Sequence, residues 1–143
     1  MADTPKHSVS VAGIVVDAQD RVLVIQRRDN GHWEPPGGVL ELLETPEAGV
    51  RREVLEETGA LIAVERLTGI YKNLSAGVVA LVFRCRIEGG PVGATEESAS
   101  VRWLTLDRAE KLMAPAYSVR IRDAFGSQVA VRSHDGEQIV GSL

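Results

Sequence analysis

Three glutamates, Glu53, Glu56 and Glu57, follow Arg52 in a stretch built like a helix. Thr45 suits the N-cap, Pro46 the first helical position, Glu47 the positive end of the helix dipole and Gly59 the residue just past the end. On a helix from Pro46 to Thr58, with Glu53 as zero, Glu57 falls at about +40°, Glu56 at about −60° and Arg52 at about −100°. Gly49 shares that face, while Val54, Leu55 and Ala48 point toward a core. Glu53 and Glu57 repel at i,i+4, and Glu56 and Glu57 sit near the negative end of the dipole. Such a face attracts cations. Arg52 satisfies one carboxylate, and a hard, oxygen-preferring divalent ion, Mg²⁺ or Mn²⁺, would satisfy the rest. Gly49 is expected to leave room above the helix for an ion or a phosphate. A solvated acidic face is the plain alternative for these carboxylates taken alone.

The residues upstream narrow the choice. Gly37-Gly38 permits close backbone approach to a ligand, Pro35-Pro36 stiffens the way in, and Glu44 stands just before the helix cap. Gly38, Glu44, Arg52-Glu53, Glu56-Glu57 and Gly59-Ala60, at these spacings, resemble the Nudix box. Trp33 before the Pro-Pro-Gly-Gly segment and Arg102-Trp103 after a later acidic loop resemble common Nudix surroundings. Leu43 departs from the usual form, standing where many members have glycine, and so does Ala60, smaller than the usual aliphatic residue.

The resemblance implies an α/β/α sandwich with a mixed sheet and the box as a loop–helix–loop. It implies Mg²⁺, with Mn²⁺ as a substitute, held by Glu53, Glu56 and Glu57, Glu57 and Glu53 ahead of Glu56, with the Gly37 carbonyl as an extra candidate ligand. Arg52 and Glu44 would orient the carboxylates. Water would attack phosphorus, and the proton would pass to a box glutamate or to one on a later loop. Glu97, in a flexible Ser/Ala-rich loop, is the best later candidate, with Glu96 its neighbour. Arg28 could touch phosphate, Gly38 could line the substrate, and Trp33 or Tyr71 could stack on a base.

The elements that must position these groups are also legible. Ser8 to Val16 and Val22 to Ile25 read as strands about a polar turn, Asp17 to Asp20. Glu34 to Leu40, with its Pro-Pro-Gly-Gly, is neither a regular helix nor a central strand. Leu61 to Leu67, Gly77 to Ile87 and Ser100 to Leu104 read as strands. Glu88 to Ala94 reads as a loop, Leu106 to Met113 and Ala116 to Phe125 as helices, and Ser127 to Arg132 with Gln138 to Val140 as a hairpin about Asp135-Gly136. Trp103 is read as core, and His7, His32 and His134 as surface or turn residues. Cys85, the only cysteine, is read as a buried apolar residue rather than a nucleophile.

Composition sets outer limits. The 143 residues fit one domain, residues 1–143, with no repeat or linker. A net charge of −4 without a Lys/Arg cluster argues against polymeric nucleic acid as the main partner. No apolar stretch spans a bilayer, and the first residues lack the apolar region of a secretory signal. A lone cysteine agrees with a cytoplasmic setting. The expected partner is a small nucleotide-like substrate, with a homodimer as the family's common assembly.

The leading expectation is a hydrolase of a nucleoside diphosphate linked to another moiety. Within it, Ser75-Ala76-Gly77 occupies the region where ADP-ribose and dinucleoside polyphosphate enzymes carry a Pro or Tyr, which leaves (d)NTPs slightly ahead. ADP-ribose or a nucleotide sugar are the alternative substrates. A nucleotide-binding regulatory module without turnover is a second class, and an acidic metal-binding domain outside this family a third.

Overall fold

In the computed structural model, residues 3–141 are described; Met1 and Ala2, part of the stretch read for a secretory signal, lie outside them. The strands are β1 (Ser8–Val16), β2 (Val22–Arg27), β3 (Trp33–Glu34), β4 (Gly37–Val39), β5 (Leu61–Asn73), β6 (Val78–Gly89), β7 (Ser98–Leu104), β8 (Ala130–His134) and β9 (Ile139–Val140). The helices are α1 (Pro46–Thr58), α2 (Leu106–Leu112) and α3 (Pro115–Ala124). The strands form one mixed sheet in the order β3-β2-β1-β6-β5-β8-β9, with β4 paired to β1 and β7 to β2.

β1 is the spine of the sheet. It runs parallel to β6, with Ser8 opposite Val78 and Val16 opposite Arg86, and turns into antiparallel β2 at Val16 and Val22. A strand covered on both faces reads as a continuous apolar run, and Val11 to Val16 are all buried. Because side chains alternate along a strand, β1 feeds two cores. Val11 and Val15 pack with Val50 and Val54 of α1. Ala12, Ile14 and Val16 pack with Ala109 of α2, Met113 just past its end, and Ile121 and Ala124 of α3. Helices thus cover both faces of the sheet, as the sandwich reading requires.

α1 lies close against β1 because Gly13 has no side chain: a Cβ there would meet Val50 and Val54 methyls at 3.1 Å. Burying the two valines stabilises this contact by about 1.5–3 kcal/mol each. The helix begins and ends where its caps put it. Thr45 accepts a hydrogen bond from the Ala48 N–H at 3.2 Å, and Gly59 takes the left-handed φ of 76° that most side chains disfavour. Its outer face differs from the sequence reading. Leu55 is 46% exposed, because Val50 and Val54 already fill the core-facing side.

Two other expectations are corrected. β5 runs on to Asn73 rather than ending near Leu67, with a register shift between Leu67 and Gly69. His134 lies 1% exposed at the end of β8 rather than on the surface. The glycine segment is neither helix nor central strand: β4 is a three-residue strand paired to β1 alone. Cys85 is buried as read, and burial pushes its thiol up to about 12, so it is inert as a nucleophile at neutral pH. No helix among the described residues is long and apolar enough to cross a membrane.

Candidate active site

The glycine segment is laid over α1 by its pairing with β1. Val39 stands opposite Ser10, Gly38 opposite Val11 and Gly37 opposite Ala12. The Gly13 N–H donates to the Pro36 carbonyl at 3.0 Å, and the Leu40 N–H to the Val9 carbonyl at 2.9 Å. Gly38 then rests on a carboxylate: a Cβ there would lie 2.6 Å from the Glu53 carboxyl carbon and both its oxygens. The Gly37 N–H donates to Glu57 Oε1 at 2.6 Å. Gly49 does not leave the open space expected of it. A Cβ on it would meet Leu40 at 2.8 Å and Glu44 Oε1 at 3.0 Å, so its room is taken by the loop itself.

Arg52 does more than neutralise one acid. It holds Glu44 through two hydrogen bonds, Nε to Oε2 at 3.0 Å and Nη2 to Oε1 at 2.6 Å. Its Nη1 donates to Glu53 Oε1 at 2.8 Å and to Glu56 Oε2 at 3.3 Å, and Nη2 also reaches the Val39 carbonyl at 3.1 Å. The planar guanidinium thereby ties loop and helix together, a geometry lysine does not reproduce. Hydrogen bonding to Arg52 holds the Glu44 carboxyl down at about 2. Arg52→Met should lower the melting temperature of the metal-free protein, since Glu44, Glu53 and Glu56 lose their common counter-charge. Saturating Mg²⁺ should restore part of that loss, and activity should fall about 10–100-fold. Thermal melts with and without Mg²⁺ check this; equal losses in both would contradict it.

Glu53, Glu56 and Glu97 each present a carboxylate oxygen such that the three lie within 4.8 Å of one another. Carboxylate oxygens are the donors that Mg²⁺ and Mn²⁺ prefer, so this donor set fits a hard divalent ion. Glu57 is turned inward to Gly37 and stands apart from that trio, although Glu53 and Glu97 are near enough to repel it. Glu97 is brought in by a loop that is tied to the end of α1. Thr95 Oγ1 donates to the Glu56 carbonyl and Ser98 Oγ to the Glu57 carbonyl, both at 2.7 Å, and the Gly93 N–H to the Thr58 carbonyl at 2.9 Å. These are carbonyls at the C-terminal end of α1, which need partners.

Burial is the main force that pushes the Glu57 carboxyl up, to about 8; Gly37 opposes it, and Glu53, Glu34 and Glu97 add repulsion. The folded protein keeps a proton that the unfolded chain sheds near the ordinary 4.5, so this group lowers metal-free stability as pH climbs from about 4.5 to about 8. Glu57→Gln should flatten that part of the melting-temperature profile. An unchanged slope would contradict the assignment.

Arg28 is engaged in the same loop, donating to the Glu96 carbonyl at 3.0 Å and the Thr95 carbonyl at 2.8 Å. Tyr71 does not offer an open stacking face. It is fully buried, its hydroxyl donates to Asp123 at 2.7 Å, and the Arg120 guanidinium lies 4.9 Å from its ring centre. Trp33 is half-buried beneath Arg102, at 5.4 Å. His7 and His32 are exposed, and Trp103 packs at the edge of the α1 core.

Beside the glycine segment lies a cavity of about 250 Å³, lined by Gly37, Gly38, Glu34, Tyr117, Arg120 and His134 among others. Sequence reading missed Glu34 and Arg120. Burial raises the Glu34 carboxyl above its ordinary value. Arg120 sits on α3, and nothing in the local pattern sets it apart from Arg122 two residues on, which reaches outward to Glu110 at 2.9 Å.

With this geometry in view, comparison with known proteins is informative. The model of the NUDIX domain matches residues 6–124. A MutT-like protein of Streptomyces ambofaciens is 56% identical over 137 residues, covering 95% of this chain and 89% of the relative. An ADP-ribose pyrophosphatase of Methanocaldococcus jannaschii is 32% identical over 112 residues, covering 73% of this chain and 66% of the relative. A solved NUDIX hydrolase from Nitrosomonas europaea superposes with a TM-score of 0.78 over 92% of this chain and 81% of that one; at 21% identity the likeness concerns the fold.

Proposed function

Because this chain belongs to the Nudix family and is a Nudix hydrolase, we propose that it splits the diphosphate of a nucleoside diphosphate linked to another moiety, with Mg²⁺ as the required ion. The observation that carries this reading is the meeting of the Glu53, Glu56 and Glu97 carboxylates, with Glu53 lying against Gly38 of the glycine segment. Glu53 and Glu56 would hold the ion, with Glu57 and the Gly37 carbonyl as further candidates. A bound Mg²⁺ would offset the charge of the diphosphate and lower the pKa of its water.

The chain's own residues supply the rest. Glu97 accepts the proton of the attacking water. The water oxygen forms a bond to one phosphorus, the bond from that phosphorus to the bridging oxygen breaks, and two phosphate-ended products leave. Arg52 holds Glu53 and Glu56 in orientation and is itself fixed by Glu44. The Gly37 N–H keeps Glu57 turned under the loop. We place the protein in the cytoplasm as one domain; its single, buried cysteine suits a reducing compartment.

Turnover of a nucleotide panel, with Mg²⁺ and with chelator, tests the reading on wild type and Glu57→Gln. The panel spans dNTPs, an oxidised dGTP, ADP-ribose, a dinucleoside polyphosphate and a nucleotide sugar. Metal-dependent hydrolysis of a panel member, largely lost in the variant, is the expected result. Binding without turnover would instead support a nucleotide-sensing module. ADP-ribose is the second substrate reading, favoured by the name of the M. jannaschii relative.

A further inference from the structure

Arg120 is 7% exposed, and its guanidinium is clamped between two aromatic rings, 4.9 Å from the centre of Tyr71 and 4.7 Å from that of Tyr117. Tyr71 is anchored in turn by Asp123, which also accepts two hydrogen bonds from Arg132 at 2.8 Å. A buried guanidinium is normally paired with a carboxylate. No acid hydrogen-bonds Arg120 among the described residues; its Nε has no partner, and its one side-chain hydrogen-bond contact is Nη2 to His134 Nε2 at 3.2 Å.

That contact is itself short of an acceptor. His134 Nδ1 faces the Gly136 N–H at 3.0 Å and Nε2 faces Arg120, so both ring nitrogens meet N–H groups. A neutral imidazole has one lone pair for two such donors. Burial and the Arg120 charge lower the His134 pKa, so the ring stays neutral. In the tautomer whose Nδ1 accepts from Gly136, the Nε2–H and the Arg120 N–H groups stand donor against donor in the wall of the cavity. What is missing there is an oxygen that accepts from both.

An anionic group would supply oxygens, but Glu34 lines the same cavity, its carboxylate 3.5 Å from Arg27 and within reach of the charge on Arg120. A neutral ring that carries an oxo group next to a ring N–H suits both walls: the oxo accepts from Arg120 and His134, and the N–H donates to Glu34. At about 250 Å³ the space lies below the usual range of about 300–1,000 Å³ for whole ligands, which suits one part of a substrate. Resting on the diphosphate reading given above, we propose that this cavity takes the nucleobase and that Arg120 and His134 select bases with an oxo edge over those with an amino group at the same place.

Two matched pairs isolate that edge, inosine against adenosine and uridine against cytidine. Within each pair an oxo group and ring N–H replace an amino group and ring nitrogen. The kcat/KM with Mg²⁺ is measured on the four triphosphates, and Kd on the four monophosphates, which need no hydrolysis. The oxo member of each pair should be preferred at least about tenfold, since donors facing an amino group leave buried N–H groups unpaired. Arg120→Met keeps bulk between the tyrosines and removes the donors; it should erase the preference by losing the oxo member alone.

Equal kcat/KM and equal Kd within both pairs overturn the inference, whatever becomes of the variant. So does a variant that loses both members alike, which would mark Arg120 as a packing residue. A tenfold preference in Kd without turnover of any triphosphate supports the inference and counts against the hydrolase reading. Turnover without preference does the reverse.

Discussion

Glu97→Gln is expected to lower kcat by about 10²–10⁴-fold, the usual worth of a positioned proton acceptor. The glutamine keeps the shape of the side chain and its backbone ties but cannot take a proton. The loss should persist at saturating Mg²⁺, which separates proton transfer from weakened ion binding. Glu96→Gln is the internal control. Glu96 adjoins Glu97 in sequence, yet its carboxylate is not part of the group formed by Glu53, Glu56 and Glu97, and its carbonyl is occupied by Arg28. A Glu97→Gln enzyme within a few-fold of wild type at saturating Mg²⁺ would return the base to a box glutamate.

Gly38→Ala should cost about 10²-fold in kcat/KM while leaving the fold intact. A Cβ at this position enters the space of the Glu53 carboxylate at 2.6 Å, the mobile end of a side chain, which can yield. The carboxylate must move to do so, and misplacing a reacting group by about 1 Å can cost about 10²-fold. Gly37→Ala provides the contrast. Its Cβ would collide with the Val11 carbonyl oxygen and with Ala12, so the strand pairing itself must shift. Kinetics and thermal melts on both variants should show activity lost with a small fall in melting temperature for Gly38→Ala, and a larger fall for Gly37→Ala. Full activity in Gly38→Ala would mean that Glu53 is free to leave its place without consequence.

The sequence carries α1 almost residue for residue, because its signals are local: a Thr cap, Pro46 after it and a left-handed Gly59. The acidic face is local too, since helical spacing alone gathers Glu53, Glu56 and Glu57. β5 is harder to read. Its register shift near Thr68 and Gly69 breaks the alternation on which a strand reading depends, so its second half, with Tyr71, goes unrecognised. The fixing of Glu97 also escapes a sequence reading. Its loop has the composition of a flexible segment, but Thr95 and Ser98 tie it to the open carbonyls of α1, a contact 39 and 41 residues apart in the chain.

The cavity wall is the least legible part. Glu34 adjoins Pro35 at the edge of the sheet, Arg120 comes from α3 and His134 from the end of β8, and only the folded chain gathers them. His134 looks like a turn residue because Asp135-Gly136 follows it, and Arg120 looks like any exposed helical arginine. Burial, which local pattern does not report, gives both their character.

The central claim is that carboxylates of α1 hold a divalent ion on which diphosphate hydrolysis depends, with Glu97 beside them to take the proton of the attacking water. Calorimetric titration of Mn²⁺ into wild type and Glu53→Gln, with turnover followed in parallel as Mg²⁺ is removed and returned, tests it most directly. Saturable binding, weakened at least about tenfold in the variant, with turnover that vanishes under chelator and returns with Mg²⁺, is the predicted result. Binding that is indifferent to the loss of Glu53, or hydrolysis that continues in chelator, would contradict it.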